Sequence, residues 1–297
     1  MNFTKLSFAT WMLVIAASCF ASQDSVKVVK GQVSDYYIPV VNEYELTGIV
    51  TDEHDQPLER PSSFANDEEM LDYIEKTHLN YMWDGANPNS GLAPERIHLD
   101  GIYPQNDKHV VTTGGSGFGI AGLLAGIDRG YISRTEGVQR LTKIVDFLDK
   151  ADRFHGVWSH WIDGNTGKTV PFGQKDDGGD LVESSFLMAS LLCVRQYFEN
   201  GNEQEKLLAS NIDKLWKEME FDWYRRGGQD VLYWHWSPNY GWDMNFPLEG
   251  YNECLITYIL GASSPTHSIP AECYHKGWAR SGGIKSNAKP YGYPLEL

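Results

Sequence analysis

From Asn66 onward, apolar residues recur at helical spacing in segments separated by long loops rich in glycine and aromatic residues. Met70, Leu71, Ile74, His78, Leu79 and Met82 repeat with the period of one helix face, behind a polar residue suited to capping. Further helices are expected over about 116–130, 134–151, 180–199, 203–224, 248–261 and 270–279. Ser133-Arg134-Thr135-Glu136 has the spacing of a capping box, in which each side chain satisfies the other residue's free backbone N–H. The expected division is an all-helical frame that carries functional residues on the loops of one face. No short repeat of the tetratricopeptide or ankyrin kind is present.

The chain before this frame reads differently. Residues 1–21 follow the export pattern: Lys5, an apolar run from Phe8 through Ile15, then Ala16, Ala17 and Ser18. That run is too short to span a bilayer. Cys19 follows a sequence similar to a bacterial lipobox, which would anchor the chain through lipid; ordinary cleavage after Ala21 is the alternative. Either way the expectation is an exported bacterial protein, in the periplasm or on the outer membrane. Residues 22–65 alternate polar residues with valine, tyrosine and isoleucine, as in Leu46-Thr47-Gly48-Ile49-Val50, and are expected to form a few strands and a linker before the helical domain at 66–297.

Charge excludes some partners. A formal net charge of −15 argues against nucleic acid or an anionic membrane surface, because both need local positive charge. Beyond the leader, Cys193, Cys254 and Cys273 are odd in number and lack metal-type spacing, so neither a disulfide scaffold nor a structural zinc site is expected. His155, His160, His235, His267 and His275 lack the paired spacing of a zinc helix, and no metal or cofactor is expected.

The densest polar cluster is Lys175-Asp176-Asp177-Gly178-Gly179-Asp180-Leu181-Val182-Glu183, directly before the apolar run Phe186-Leu187-Met188-Ala189. A helix start accounts for one or two acids through capping and the dipole, but not four. Asp180 and Glu183 are three apart and share a helix face, and Asp176 joins them if the glycine pair bends the loop back. Like charges packed at an apolar helix raise at least one pKa, as a general acid requires. A second acid, Glu253, lies between Tyr251 and Cys254-Leu255-Ile256, where a carboxyl group must be hydrogen-bonded, paired or protonated. A buried structural carboxylate is the alternative there. Asp180 and Glu253 are expected to face each other across a cleft with about 6.5–9.5 Å between them, room for an attacking water.

The loops suggest the ligand. Trp158, His160 and Trp161, then Trp234, His235, Trp236, Tyr240 and Trp242, place flat apolar faces beside hydrogen-bonding groups, which suits a sugar ring. Core packing is the other use of any single one of these rings. The glycine-rich run Thr112 to Gly119 lacks the context of a nucleotide fingerprint and reads as close helix packing or a sugar-lining turn.

Gly114 to Gly119, Lys150 to Gly156, Lys175 to Glu183, Tyr233 to Trp242, and Gly250-Tyr251-Asn252-Glu253 through His267 resemble the bacterial glucoamylase-like proteins, which group with the endo-β-1,2-glucanases. The resemblance runs from about residue 67 to 283. It implies an (α/α)6 toroid, no metal, and inverting hydrolysis of a β-1,2-linked glucan. Carried over by motif, Asp176, Asp180 and Glu183 match the acids of the Lys-Asp-Asp-Gly-Gly-Asp stretch, and Glu253 matches the acid of the Tyr-Asn-Glu motif. About seven helices are expected here where such a toroid has twelve, so the toroid is expected to be incomplete and its activity in this chain is left open. A noncatalytic glycan-binding lipoprotein, or an inactive fragment of a glucanase, is the alternative reading. A lyase or epimerase would call for a His or Tyr base and, for a lyase, a basic groove.

Overall fold

The computed structural model describes residues 61–98, 100–284 and 289–292. The expected leader, the Cys19 anchor and the strand-like segment before residue 61 lie outside the described residues.

Among the described residues, six α-helices form the frame: α1 (Asp67–Trp83), α2 (Thr113–Arg129), α3 (Arg134–Lys150), α4 (Leu181–Phe198), α5 (Glu203–Lys217) and α6 (Leu255–Ser263). Their starts are capped as local chemistry dictates. The Asn66 side chain accepts the Glu69 N–H at the head of α1, Ser133 and Glu136 close the expected capping box on α3, and Asn202 and Glu205 close another on α5. α2 ends at Gly130, whose φ of 75° is a left-handed conformation that glycine adopts without strain.

Burial separates the helices into two layers. α4 is apolar nearly all round, and buries Leu187, Met188, Leu191, Val194 and Phe198; such a helix must be covered on every side. α3 and α5 each bury one face and keep a charged one in solvent. α2 packs most extensively against α4, and α4 in turn packs against α5 and α6. Gly114 of α2 lies against Glu183 of α4, and Gly117 lies against Leu187, so residue numbers rise together and the two inner helices run parallel. The outer pair does the same: Arg134 bonds Glu205 at 2.5 Å near the starts of α3 and α5, and Lys214 bonds Asp149 at 2.6 Å near their ends. Alternating outer and inner helices, parallel within each layer, are the arrangement of an α/α toroid. The described residues supply three helix pairs of it, which agrees with the expected all-α, incomplete toroid.

Several boundaries differ from expectation. The helix expected over 203–224 stops at Lys217, because Met219 and Phe221 turn into the core and the Glu220 N–H donates to the His155 carbonyl. The helix expected from 248 begins only at Leu255: Gly250 has a φ of 84°, and Asn252 accepts the Cys254 N–H, a local bond that competes with helix. The segment expected over 270–279 holds a π-helix, Cys273–Trp278. The glycine-rich run forms the end of β1 and the first turns of α2, where Gly117 packs closely against the Leu187 backbone.

Short strands cross the same end of the frame. β1 (Val110–Thr112) pairs antiparallel with β4 (Trp161–Asp163), which pairs with β5 (Thr169–Val170); β2 (Arg153–Phe154) pairs with β3 (Val157–Trp158), and β6 (Gly179–Asp180) with β7 (His235–Trp236). The β3–β4 segment is fastened to the inner helices. Ser184 of α4 both accepts the Trp158 N–H (2.9 Å) and donates to its carbonyl, while Thr113 of α2 donates from its hydroxyl to the Ser159 carbonyl at 2.5 Å.

The α2/α4 contact yields a paired test. A Cβ on Gly117 would stand 2.7 Å from the Phe186 carbonyl oxygen and the Leu187 Cα, backbone atoms that cannot step aside, whereas a Cβ on Gly122 in the same helix meets nothing within 4 Å. Gly117→Ala is expected to destabilise the domain by roughly 1–3 kcal/mol, and Gly122→Ala to stabilise it by about 0.5–1 kcal/mol through helix propensity. Chemical denaturation of the two variants checks the opposite signs.

Candidate active site

The site gathers where β6 runs into α4. Asp180 is the N-cap of α4: its Oδ1 accepts the N–H groups of Val182 and Glu183, both at 3.0 Å. Its Oδ2 accepts the Trp234 indole N–H at 2.8 Å and lies 3.1 Å from His160 Nδ1. Asp180 is 0% exposed, and it ties together α4, the β3–β4 segment and the chain entering β7. Asp180, expected to face Glu253 across a cleft, is thus itself enclosed. Its oxygens are occupied by donors of the protein itself.

Glu183 follows three residues later on the first turn of α4, half-buried, with its Oε2 accepting the Gly114 N–H at 2.9 Å. It thus caps the neighbouring inner helix α2. Burial, and next the charge of Asp180, push its carboxyl up to about 7; the His160 charge and the Gly114 N–H act the other way. This agrees with the expectation that like charges at this helix would raise one acid.

Asp176 lies in the tight turn before β6, where its N–H donates to the Gly173 carbonyl, and only 5% of it is exposed. Its Oδ1 is 3.2 Å from His235 Nε2, but that nitrogen accepts the Gly178 N–H at 3.2 Å. The close approach is therefore no hydrogen bond in this arrangement. Both Asp176 carboxylate oxygens are buried and lack a donor among the described residues.

Glu253 precedes α6 and is exposed. Its apolar sequence neighbours do not bury it, which corrects that expectation: Cys254 turns into the core and Glu253 turns out. The buried Cys254 thiol beside it is pushed up to about 12 by burial, and then by the charges of Glu253 and Asp180.

The aromatic residues divide by burial. Trp158 is 0% exposed with its indole N–H donated to the Leu148 carbonyl at 3.0 Å, and His235 is buried behind Asp176. Neither can lie against a sugar ring. Both were expected to; the Ser184 staple and the β6–β7 pairing turn them inward. His160, Trp161, Trp234, Trp236 and Trp242 are half-buried, and Tyr240 is exposed. The Tyr240 loop is fastened to the acidic loop by Asn239 to Asp177 at 2.7 Å and Lys175 to Asp243 at 3.1 Å. The sequence reading missed two exposed rings beside these. Phe172 packs on His160 and Trp161 with centroids 4.4 and 4.7 Å away, and Trp223 stacks on His155 at 3.7 Å. The position of Phe172, four residues before Asp176, was the available signal.

Two measurements follow. The folded state holds the Glu183 proton that an unfolded carboxyl releases above about 4.5, so its contribution to stability is complete below that pH and lost as pH rises to about 7. Glu183→Gln should flatten the fall in Tm over this window in scans at successive pH values. A Cβ at Gly114 would stand 2.2 Å from Glu183 Oε2, a flexible tip that can swing aside. Gly114→Ala is therefore expected to keep Tm within a few degrees yet weaken the Gly114 N–H bond to Glu183 and so raise the midpoint of its carboxyl further. Circular dichroism and carbon-13 titration of the carboxyl measure the two effects separately.

Comparison with known proteins places this geometry. The Glycoamylase family model, described as "Putative glucoamylase", matches residues 245–297. An exo β-1,2-glucooligosaccharide sophorohydrolase (non-reducing end) of Parabacteroides distasonis is 52% identical over 215 residues, 72% of this chain and 29% of that protein. The endo-β-1,2-glucanase of Chitinophaga pinensis, solved with sophorotriose and glucose, is 64% identical with a TM-score of 0.77, over 79% of this chain and 56% of its own. A β-1,2-glucanase of Parabacteroides distasonis is 44% identical with a TM-score of 0.73, over 80% of this chain and 36% of its own. The chain thus spans less than a third of the curated relative and about half of the Chitinophaga enzyme. Over the length it shares with them, this chain is similar to the putative glucoamylases and β-1,2-glucanases.

Proposed function

We propose that this chain is part of an exported glycoside hydrolase that cleaves β-1,2-glucan with inversion, in endo mode. The observation that carries the reading is Glu183, a carboxyl lifted to about 7 by burial and aimed by the Gly114 N–H, which is the state a general acid needs near neutral pH. Glu183 donates its proton to the glycosidic oxygen as the C1–O bond breaks. A water attacks C1 from the opposite face and gives its proton to a second carboxylate. Asp176, whose oxygens have no donor among the described residues, and the exposed Glu253 are the candidates for that role. Asp180 acts as a positioning residue through its four donors. Trp161, Trp234, Trp236, Tyr240 and Trp242 line the substrate with His160.

The relatives named for β-1,2-glucan or its oligosaccharides support the substrate, and the higher identity to the endo-acting enzyme supports the mode. The leader pattern at residues 1–21 supports export, with a lipid anchor at Cys19 or cleavage after Ala21. No helix among the described residues is long and apolar enough to cross a membrane.

A noncatalytic glycan-binding role has the aromatic rings in its favour but gives no use to a carboxyl held protonated. Incubating the full chain with linear β-1,2-glucan and resolving the products by chromatography distinguishes the readings. A ladder of oligosaccharides that Glu183→Gln reduces by at least about a hundredfold is expected. Sophorose as the sole early product would indicate exo action. Binding without cleavage would overturn the hydrolase reading.

A further inference from the structure

One imidazole lies within reach of three carboxyl charges of this site, with Asp180 in contact with it and Glu183 and Asp176 acting through space. His160 comes off the strap between β3 and β4, and the strap is held at both sides, by Ser184 on α4 and by Thr113 on α2, whose N–H also donates to the His160 carbonyl at 3.1 Å. Nδ1 lies 3.1 Å from Asp180 Oδ2, and the ring is walled by Phe172 and Trp161. Asp180 in turn holds the backbone N–H of Glu183. An imidazole, an N-cap carboxylate and the half-buried acid are thereby linked through two contacts, both made by Asp180.

We propose that His160 is a fixed cation at the centre of this acid cluster, a positioning residue that counterbalances Asp176, Asp180 and Glu183 and sets how readily Glu183 releases its proton. Burial alone would lower the basicity of the ring. The hydrogen bond to Asp180 and the charges of Asp180, Glu183 and Asp176 outweigh it and push the imidazole up to about 9, so the ring keeps its charge throughout the range in which Glu183 titrates. The surroundings offer no substitute cation among the described residues. Glu95, the next charge near Glu183, is negative, and Arg96, which reaches over the Trp161 ring, is engaged by Glu95 and Asp107 at 3.4 and 3.5 Å. Without the imidazolium, Glu183 would face Asp180 and Glu95 opposed only by the Gly114 N–H, and its proton would be held more tightly.

The test is His160→Gln, which retains an N–H donor for Asp180 and removes the charge. Carbon-13 titration of the Glu183 carboxyl, assigned with Glu183→Gln, is recorded for the full chain and the variant, together with the His160 imidazole titration in the unaltered chain. The Glu183 midpoint is expected to move up by about one pH unit in His160→Gln, with the His160 midpoint clearly above 7. An unmoved or lowered Glu183 midpoint in the folded variant, or a His160 midpoint at or below about 6.5, overturns the proposal. The second measurement needs no variant and decides the matter if His160→Gln does not fold. The activity arm rests on Glu183 as the proton donor: the alkaline limb of the pH–rate profile should rise with the same shift. If the chain hydrolyses no glucan, that reading falls alone, since both titrations are read without catalysis.

Discussion

One buried carboxylate organises the functional end of this molecule. Asp180 caps α4 from the last residue of β6, and its second oxygen holds Trp234 and His160, side chains from segments 54 and 20 residues away in the chain. A carboxylate removed from water must be matched by donors, and here the donors come from three elements that no single local rule would bring together. The cap fixes where α4 begins, and the start of α4 fixes Glu183. The position of Glu183 against the first turn of α2 then requires that residue 114 have no side chain.

The packing of the frame serves the same end. Because α2 and α4 run parallel, their N-termini open on one side, and the straps carrying His160, Trp161 and Trp236 cross there. Free N–H groups at two helix starts form a region that favours negative charge, while the partial burial of Glu183 opposes it. The balance leaves one acid firmly tied as an acceptor and its neighbour three residues on poised to hold a proton. Two carboxyl groups of the same motif are thereby given different chemistry by their surroundings.

The aromatic residues illustrate how far a motif can be read. Trp158 and Trp161 are three residues apart in one Trp-Ser-His-Trp run, yet the first is core and the second borders the site. The difference arises from Ser184, which clamps the backbone of residue 158 and turns its ring beneath the strap. The Trp-His-Trp run behaves likewise: pairing of β7 with β6 buries His235 and leaves its neighbours at the site. Ile259 of α6 is exposed, as are Phe246, Tyr251 and Tyr274 in the segments on either side of that helix, whereas Met70 is the large hydrophobic exposed on α1.

Much of the frame was legible in the residues themselves, because apolar period and capping chemistry are local. Asn66 and the Ser133–Glu136 box mark helix starts without reference to anything distant, and the cluster from Asp176 to Glu183 holds too many acids for capping alone. What the sequence could not decide was which acid would be buried, which would be held by N–H groups and which would face solvent. Glu253 and Asp180 had similar claims by motif, and only the folded chain turns the first outward and surrounds the second with donors. The protonation state of a carboxyl group depends on solvent exclusion and on charges brought close in space, and residues such as Gly114, His160 and Trp234 reach the acids only through tertiary packing. The inventory of functional groups is therefore a property of the sequence, while their division of labour is a property of the fold.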